Sequence, residues 1–591
     1  LTSVFLKTGV VCEEIESTVA ALRCPETFRD LGRLDRVKRL LKDAFEILGA
    51  GHAANTAQLQ ALARNPEANP FLPFLEAVTI PQLERAAPGA IGISVTYRSQ
   101  ILPAVTLALL VKRAMPGVPV IFGGHIASFW YEELASCPEV FDWCDYLIAF
   151  EGESALDALL SALESGHPID SVPNLAYRRN GRVIANPLFV EDINALPAPD
   201  YRGLPLDLYL APEPVFLLNT SRGCYWSKCA FCSVSPAMRR RFRVRRPDLV
   251  LQDIATLQER HAAQCISFGD DCVPPRMLKS LAEGLRGTEI SWQCEVRFER
   301  ELTPALLSSL REAGCRNLIF GLESYSPRVL ESMKKGIRHA EIRRILDDCR
   351  REGIAFNLQL FFGFPGESER DAHTTLEFVA GELHGAATLS FGIFQLQRGS
   401  GVARDPEAFG IRPTEGQSRL SIEIAYEPLP AHAAEAQQTL REKVLERTTF
   451  RNLPLCIDAH TLLFLHYAGV EAMAKQYYAE HPVADLRMGP EVKLERRERQ
   501  TVAEIGERAL LYDYELDRAV ELSGLARWVV ERQLDRPRCA SEVVDELLAA
   551  AGDPSAKPGL TNSVNEILGE LLRRGMLVAP LDKAPMPEQT T

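Results

Sequence analysis

Apolar residues fall into short runs, separated by stretches where they recur every third or fourth position. Between residues 80 and 153 the runs are Ala90–Val95 (AIGISV), Val118–Phe122 (VPVIF) and Tyr146–Phe150 (YLIAF), with helical spacing between them, as at Leu107–Lys112. Short buried strands alternating with amphipathic helices predict a parallel sheet with crossovers. Pro173–Asp200 reads as a hairpin plus a linker, with Asn180-Gly181 at the turn and Pro197 and Pro199 as breakers. The alternation resumes at Val215. It predicts strands at Val215–Asn219, Cys265–Phe268, Ser291–Val296, Asn317–Phe320, Ala355–Phe361 and Leu389–Gln395. Helices are predicted between them, among them Pro304–Ala313 and His339–Glu352. Such a series predicts a partial or full (β/α)6 barrel.

After Pro413 the strand-like runs stop, and the segment to about Pro490 reads as helical. The last stretch changes again. Val492–Glu495 and Ala509–Tyr514 read as strands, and helices are predicted near Ser523–Gln533, Ser541–Ala551 and Ser563–Arg574, the last stopped by Gly575. The fold class is therefore α/β: a Rossmann-like doubly wound domain over 1–200, a barrel over 201–412, a helical segment over 413–490, a small winged-helix-like α+β unit over 491–582 and a tail over 583–591.

Composition changes this picture little. A chain of 591 residues exceeds one hydrophobic core. A formal net charge of -13 disfavours a nucleic-acid binder. No apolar run reaches the ~18 residues a membrane span needs, and no signal-peptide pattern opens the sequence, so the expected location is cytoplasmic. The first residue is Leu1 rather than Met, so the expectation is that the sequence begins inside a longer protein and that its leading domain lacks a first strand. One basic run, Arg239–Arg246 (RRRFRVRR), reads as a solvated face or an anion site.

Of the 14 cysteines most are isolated and read as small buried hydrophobes. Three are not. Asn219–Ser233 (NTSRGCYWSKCAFCS) places Cys224, Cys229 and Cys232 on one loop just after a predicted strand. Three thiolates can hold three corners of a cubane [4Fe–4S] cluster and leave its fourth iron without a protein ligand. That iron can bind the amino and carboxylate groups of S-adenosylmethionine, whose reductive cleavage yields a 5′-deoxyadenosyl radical. A structural zinc site is the alternative, but it wants four ligands. The next candidates, His261 and Cys265, fall on or beside a predicted strand.

This loop resembles the cluster-binding loop of the radical SAM superfamily, written C-x3-C-x2-C with an aromatic before the last cysteine. Phe231 fills that aromatic place, and the resemblance implies that it packs beside adenine. Four residues, not three, separate Cys224 from Cys229. Downstream blocks are similar, in the same order, to the barrel of the B12-binding branch. They are Gly269-Asp270-Asp271, WQCEVR (Trp292–Arg297), Gly321-Leu322-Glu323-Ser324, Met333-Lys334-Lys335-Gly336 and FFGFPGE (Phe361–Glu367). The resemblance implies that Gly269, Asp270 and Asp271 meet the methionine ammonium. Ligands sit at the carboxyl ends of barrel strands, which makes Glu295, Arg297, Glu323, Ser324 and Gln359 further candidates, Glu323 toward ribose hydroxyls.

IGIS (Ile91–Ser94), FGGH (Phe122–His125) and FEGE (Phe150–Glu153) resemble strands of the cobalamin-binding domain of that branch. The implied cobalamin contacts are Ser94, Thr96, Gly123, Gly124, His125, Glu151 and Gly152. Gly123-Gly124 would let backbone approach the ligand closely. The D-x-H-x-x-G motif, whose His ligates cobalt from below, is not found. The early His52, in GAGHAAN, lacks the Asp. Either the motif precedes Leu1 or cobalamin is bound without a lower histidine, and the second is the expectation.

The function expected is a cobalamin-dependent radical SAM C-methyltransferase acting on an unactivated carbon. Its substrate would be a peptide or small molecule, and its electron donor a flavodoxin or ferredoxin. Rearrangement, cyclisation or oxidation without methyl transfer is the second reading, and a non-catalytic metal-binding protein the third. The C-terminal unit resembles the peptide-recognition module of enzymes that modify ribosomally made peptides. Such modules take a leader peptide as an added strand. The alternative there is a generic packing domain.

Overall fold

The structure is a computed structural model of the chain. It describes residues 2–48, 56–65, 69–129, 131–135, 137–233, 241–382, 387–414, 423–429, 459–480 and parts of 495–578. The chain divides into two units. One holds Leu48–Glu442 and Cys456–Ala474, the other Leu1–Ile47, Lys443–Leu455 and Lys475–Thr591.

The larger unit opens with a five-stranded sheet in chain order: β1 (Ile91–Ser94), β2 (Val120–Gly123), β3 (Tyr146–Ile148), β4 (Leu175–Arg179) and β5 (Arg182–Ala185). The first three are parallel, and the last two form an antiparallel hairpin on β3. The hairpin turns at Asn180 (φ 53°) and Gly181 (φ 73°), the left-handed pair that a two-residue turn requires. Helix Ile101–Ala114 is apolar on several sides because it is enclosed. Leu102, Val105, Ala108 and Val111 are buried with Val120, Phe122 and Leu147 in one core. The described strands show no reversal of order.

The barrel follows: β6 (Val215–Leu218), a small ladder of β7 (Ser221–Arg222) and β8 (Arg243–Val244), then β9 (Cys265–Phe268), β10 (Ser291–Val296), β11 (Cys315–Glu323), β12 (Ala355–Phe362) and β13 (Ala387–Ile393). The six long strands are parallel and adjacent in chain order from β6 to β13, so the sheet is an open, partial barrel. The β6 edge is blunted. At Leu217 the backbone carbonyl accepts the Tyr201 hydroxyl (2.7 Å), and the N–H donates to the same oxygen (3.1 Å). Helix Ala459–Tyr467 packs against β9, β10 and β11. Its residues Leu462 to Leu465 are all buried, which explains its apolar circumference.

Strands do not stop at Pro413. Ile411–Pro413 pairs with Tyr426–Pro428, and Leu396–Gln397 with Glu423–Ile424. Ladders of two or three residues are too short to leave a period-two pattern. Ala459–Tyr467 and Val470–Glu480 are helical as expected, while 430–458 lies outside the described residues.

In the smaller unit Gln500–Ile505, Arg508–Asp513 and Arg518–Leu522 form an antiparallel sheet. Only its middle strand was legible in the apolar pattern. Helices Gly524–Asp535 and Ala540–Ala551 follow, and Leu511, Leu522, Val529, Val543, Val564 and Leu568 share a core. Much of the third expected helix, including Arg574 and Gly575, lies outside the described residues. Residues Leu1–Ile47 group with this unit, whereas the sequence pattern ran the first domain from residue 1. Gln476 explains the grouping: it accepts the Leu31 N–H (2.6 Å) and donates to the Arg29 carbonyl (3.0 Å).

Candidate functional site

The cysteine loop leaves the carboxyl end of β6, and its root is fixed by Asp270, just beyond β9. That carboxylate accepts the Thr220 N–H (2.9 Å), the Thr220 hydroxyl (2.9 Å) and the Ser221 hydroxyl (2.5 Å). Burial raises the Asp270 carboxyl pKa, and these donors hold it down in part. Asp270 is thus an anchor of the loop rather than a free partner for an ammonium, as its sequence position had suggested. The Gly269 carbonyl accepts Asn219 Nδ2 (2.8 Å) and keeps a second lone pair. Asp271 is half-buried and close enough to Glu295 for its charge to act there.

The far side of the loop docks on Met333-Lys334-Lys335-Gly336. Ala230 N–H donates to the Met333 carbonyl (2.8 Å) and Trp226 Nε1 to that of Lys334 (2.9 Å). The Lys335 carbonyl accepts Arg297 Nη2 (2.6 Å), while the Arg297 guanidinium lies 4.3 Å over the Trp226 ring. A Cβ on Gly336 would stand 2.1 Å from that ring. Arg297 is therefore spent largely on holding the loop. Cys224, Cys229 and Cys232 are half-buried along it. Burial pushes up the Cys229 thiol, and the charges of Lys335 and Arg297 oppose that rise. A cavity of about 420 Å³ touches Cys229 and Cys232 on this side. A fourth cysteine, Cys272, which read as an isolated buried hydrophobe, lies buried beside Tyr225 and near Cys224, and burial pushes its thiol far up.

The barrel mouth gathers Asp271, Glu295, Glu323, Gln359 and Lys335. Burial, reinforced by the charges of Asp271 and Glu323, pushes Glu295 up to about 7, against Lys335 and a hydrogen bond with Gln359. Glu323 sits at φ 65° and is buried, with Oε1 2.7 Å from Lys335 Nζ. Non-glycine residues at such a φ are uncommon and cluster at functional sites. Gly321 makes the pair possible: a Cβ there would lie 2.6 Å from Glu323 Oε1 and 2.7 Å from Lys335 Nζ. Lys335 Nζ also lies 5.7 Å over the Phe231 ring, which packs edge-on to Phe361. Burial pulls the Lys335 pKa down, but the charges of Glu323 and Cys229 hold it above the usual lysine value. The sequence named Lys335 only within the Met333-Lys334-Lys335-Gly336 block and gave it no role, because its partner Glu323 is twelve residues away and the contact depends on the fold. Ser324, by contrast, is fully buried, with its hydroxyl 3.1 Å from that of Thr375 and accepting the Ser326 N–H (3.1 Å). It shapes the turn and does not face a ligand.

In the first sheet the predicted residues lie at the carboxyl ends of three adjacent parallel strands, where such sheets bind ligands. Ser94, Thr96 and His125 are exposed, and Gly123 and Gly152 half-buried. Thr96 N–H donates to Gln100 Oε1 (2.8 Å). Gly124 (φ 97°) serves a different approach from the one expected. A Cβ on it would lie 2.7 Å from the Val95 backbone, so it packs β2 onto β1. Glu151 is a second correction. It is buried and accepts Arg222 Nη1 (3.0 Å), both Nη atoms of Arg243 (2.7 and 3.0 Å) and the Glu191 N–H (2.8 Å). Its oxygens are taken by the protein. The basic run is likewise internal in part: beside Arg243, Arg245 is buried on Asp253 (2.7 Å), and Arg246 pairs with Asp248 (2.5 Å). His52 and Arg239–Arg240 lie outside the described residues.

An open parallel barrel with three cysteines on the loop after its first strand, joined to a parallel-sheet domain in front, defines a class of metal-cluster protein with a ligand-binding accessory domain. Residues 218–379 match the radical SAM superfamily, and residues 37–160 match the B12 binding domain. The chain carries a radical SAM domain behind a B12-binding domain. It is 29% identical over 305 residues to an uncharacterized methyltransferase of Pyrococcus horikoshii, covering 50% of this chain and 65% of that protein. It is 23% identical over 266 residues to the anaerobic magnesium-protoporphyrin IX monomethyl ester cyclase of Synechocystis, covering 42% and 50%. The chain thus spans less than two thirds of these relatives. Among solved structures, the radical S-adenosylmethionine methyltransferase TsrM from Kitasatospora setae, with cobalamin and a [4Fe-4S] cluster bound, shares the fold. The TM-score is 0.51 at 16% identity, over 69% of this chain and 92% of that one. Among the described residues no helix is long and apolar enough to cross a membrane.

Proposed function

We propose that the chain is a cobalamin-dependent radical SAM C-methyltransferase acting on an unactivated carbon, in a ribosomally made peptide or another natural product. The observation that carries this is three half-buried cysteines on one loop at the barrel's carboxyl end, flanked by the cations of Lys335 and Arg297. This donor set fits a cluster with one iron left open. When bound, the cluster and S-adenosylmethionine supply a 5′-deoxyadenosyl radical and cobalamin supplies the methyl carrier.

The chain's own residues bind and orient. Lys335 and Arg297 offset the negative charge of three thiolates. The free lone pair of Gly269 and the carboxylates of Asp271 and Glu295 suit the methionine ammonium, whose charge would also keep Glu295 ionised. Glu323, fixed by Lys335, is placed for ribose hydroxyls. Ser94, Thr96, Gly123, His125 and Gly152 take the cobalamin tail, with no histidine expected beneath cobalt. In the smaller unit the three-stranded antiparallel sheet would take a leader peptide as an added strand. A flavodoxin or ferredoxin would supply electrons.

The likeness to a cyclase favours one second reading, radical chemistry without methyl transfer. The experiment is direct. Anaerobically reconstituted protein, given reductant, cobalamin, S-adenosylmethionine and a substrate that donates the hydrogen atom and accepts the methyl group, should yield both S-adenosylhomocysteine and 5′-deoxyadenosine. Formation of 5′-deoxyadenosine alone overturns methyl transfer.

A further inference from the structure

At the amino end of the barrel, away from the cysteine loop, Glu213, Cys265 and His466 bring one ligand atom each to within 4.8 Å of one another. We propose that these residues form a divalent-metal site of zinc type that pins helix Ala459–Tyr467 to the barrel floor. Nothing in the cofactor chemistry described above uses it. Cys265 opens β9, in register with Val215 and Ser291, which open β6 and β10. The cysteine loop leaves the other end of β6, roughly 10 Å away at ~3.3 Å per residue.

The geometry is that of ligands around a shared centre rather than of a hydrogen-bonded pair. His466 Nε2 stands 3.6 Å from Glu213 Oε1, too far for a hydrogen bond. That oxygen is sealed from solvent and has no hydrogen-bond donor, an unfavourable state for a carboxylate if nothing else binds it. Zinc holds nitrogen and oxygen at about 2.0–2.2 Å and sulfur at about 2.3 Å in a tetrahedron, which sets ligand atoms roughly 3.3–3.7 Å apart. The ring is also oriented. Its Nδ1 lies 2.9 Å from the Ser291 hydroxyl, which accepts Arg316 Nε (3.2 Å). Fixing the second ring nitrogen is how metal-binding histidines present the first. One sulfur, one imidazole nitrogen and one carboxylate select zinc over magnesium or calcium, and leave a fourth position for water.

The test is metal content of the purified chain after zinc addition and desalting, measured by mass spectrometry in wild type, His466→Gln, Glu213→Gln and Cys229→Ala. Wild type and Cys229→Ala should each keep about one zinc per chain, independent of cluster iron. His466→Gln and Glu213→Gln should lose at least nine tenths of it while still holding iron and cleaving S-adenosylmethionine. Cobalt(II) should replace the zinc and show thiolate charge-transfer absorption that is missing in His466→Gln. Wild type without zinc above trace, or zinc unchanged in both single variants, overturns the proposal. Zinc lost with Cys229→Ala overturns it too, because the ion then belongs to the cluster loop.

Discussion

Arg222 Nη1 lies 3.0 Å from Glu151 Oε1, joining the residue two positions before Cys224 to the end of β3 in the domain in front. Arg222 also pairs with Glu153, and Arg243 closes the other side of Glu151. The cysteine loop and the first domain are thereby tied through one buried carboxylate. Glu151→Ala would remove the carboxylate that both Nη atoms of Arg243 reach, while Arg222 keeps Glu153. We predict a loss of about 3 kcal/mol in unfolding free energy, read by urea denaturation. A variant as stable as wild type would show that the tie carries no load.

Gly321 has a narrower role. Gly321→Ala places a methyl group against both members of the Glu323–Lys335 pair. We predict destabilisation by about 1–3 kcal/mol and a weaker dissociation constant for S-adenosylmethionine, with cluster iron retained. Unchanged ligand binding would remove Glu323 from the nucleoside site.

Glu295 gives a pH dependence with a defined sign. Its folded value, about 7, is above the unfolded value near 4.5, so the folded state binds the extra proton. The contribution of Glu295 to stability is therefore fully present below pH 4.5, falls as pH rises toward 7 and levels off beyond. Glu295→Gln removes this loss. At pH 8 the variant should exceed wild type by up to about 3 kcal/mol, and by less as pH falls toward 4.5. Urea midpoints of cluster-free protein at pH 5.5 and pH 8 check this. A gap that is equal at both pH values would contradict it.

Cys272 separates nearness from ligation. Cys272→Ser should keep the iron and sulfide of wild type after reconstitution, because Cys272 is buried beyond β9 and is not on the Asn219–Ser233 loop. Cys229→Ala should lose the cluster. Equal losses would make Cys272 a ligand.

Strands β9 and β10 were legible to the residue, because Ile266 and Phe268, and Trp292, Cys294 and Val296, alternate with polar positions in a period of two. The turn at Asn180-Gly181 was legible because few pairs accept two left-handed residues. Gln500–Ile505 and Arg518–Leu522 were not, since polar residues interrupt their apolar positions. Sequence located the strand ends where candidates lie. It could not say which side chains neighbours already hold. Asp270 is engaged by residues about fifty positions earlier, Ser324 by Thr375 and Glu151 by Arg222 and Arg243. Lys335 is the converse: a residue quoted only as part of a block meets Glu323, Arg297 and Phe231 at the mouth through contacts distant in sequence.

The open iron is tested most directly by electron paramagnetic resonance of the reduced, anaerobically reconstituted chain before and after S-adenosylmethionine. With one iron lacking a protein ligand, the spectrum of the reduced cluster should change on addition of the nucleoside, and Cys229→Ala should show no such cluster signal. A cubane spectrum that S-adenosylmethionine leaves unaltered would contradict the account.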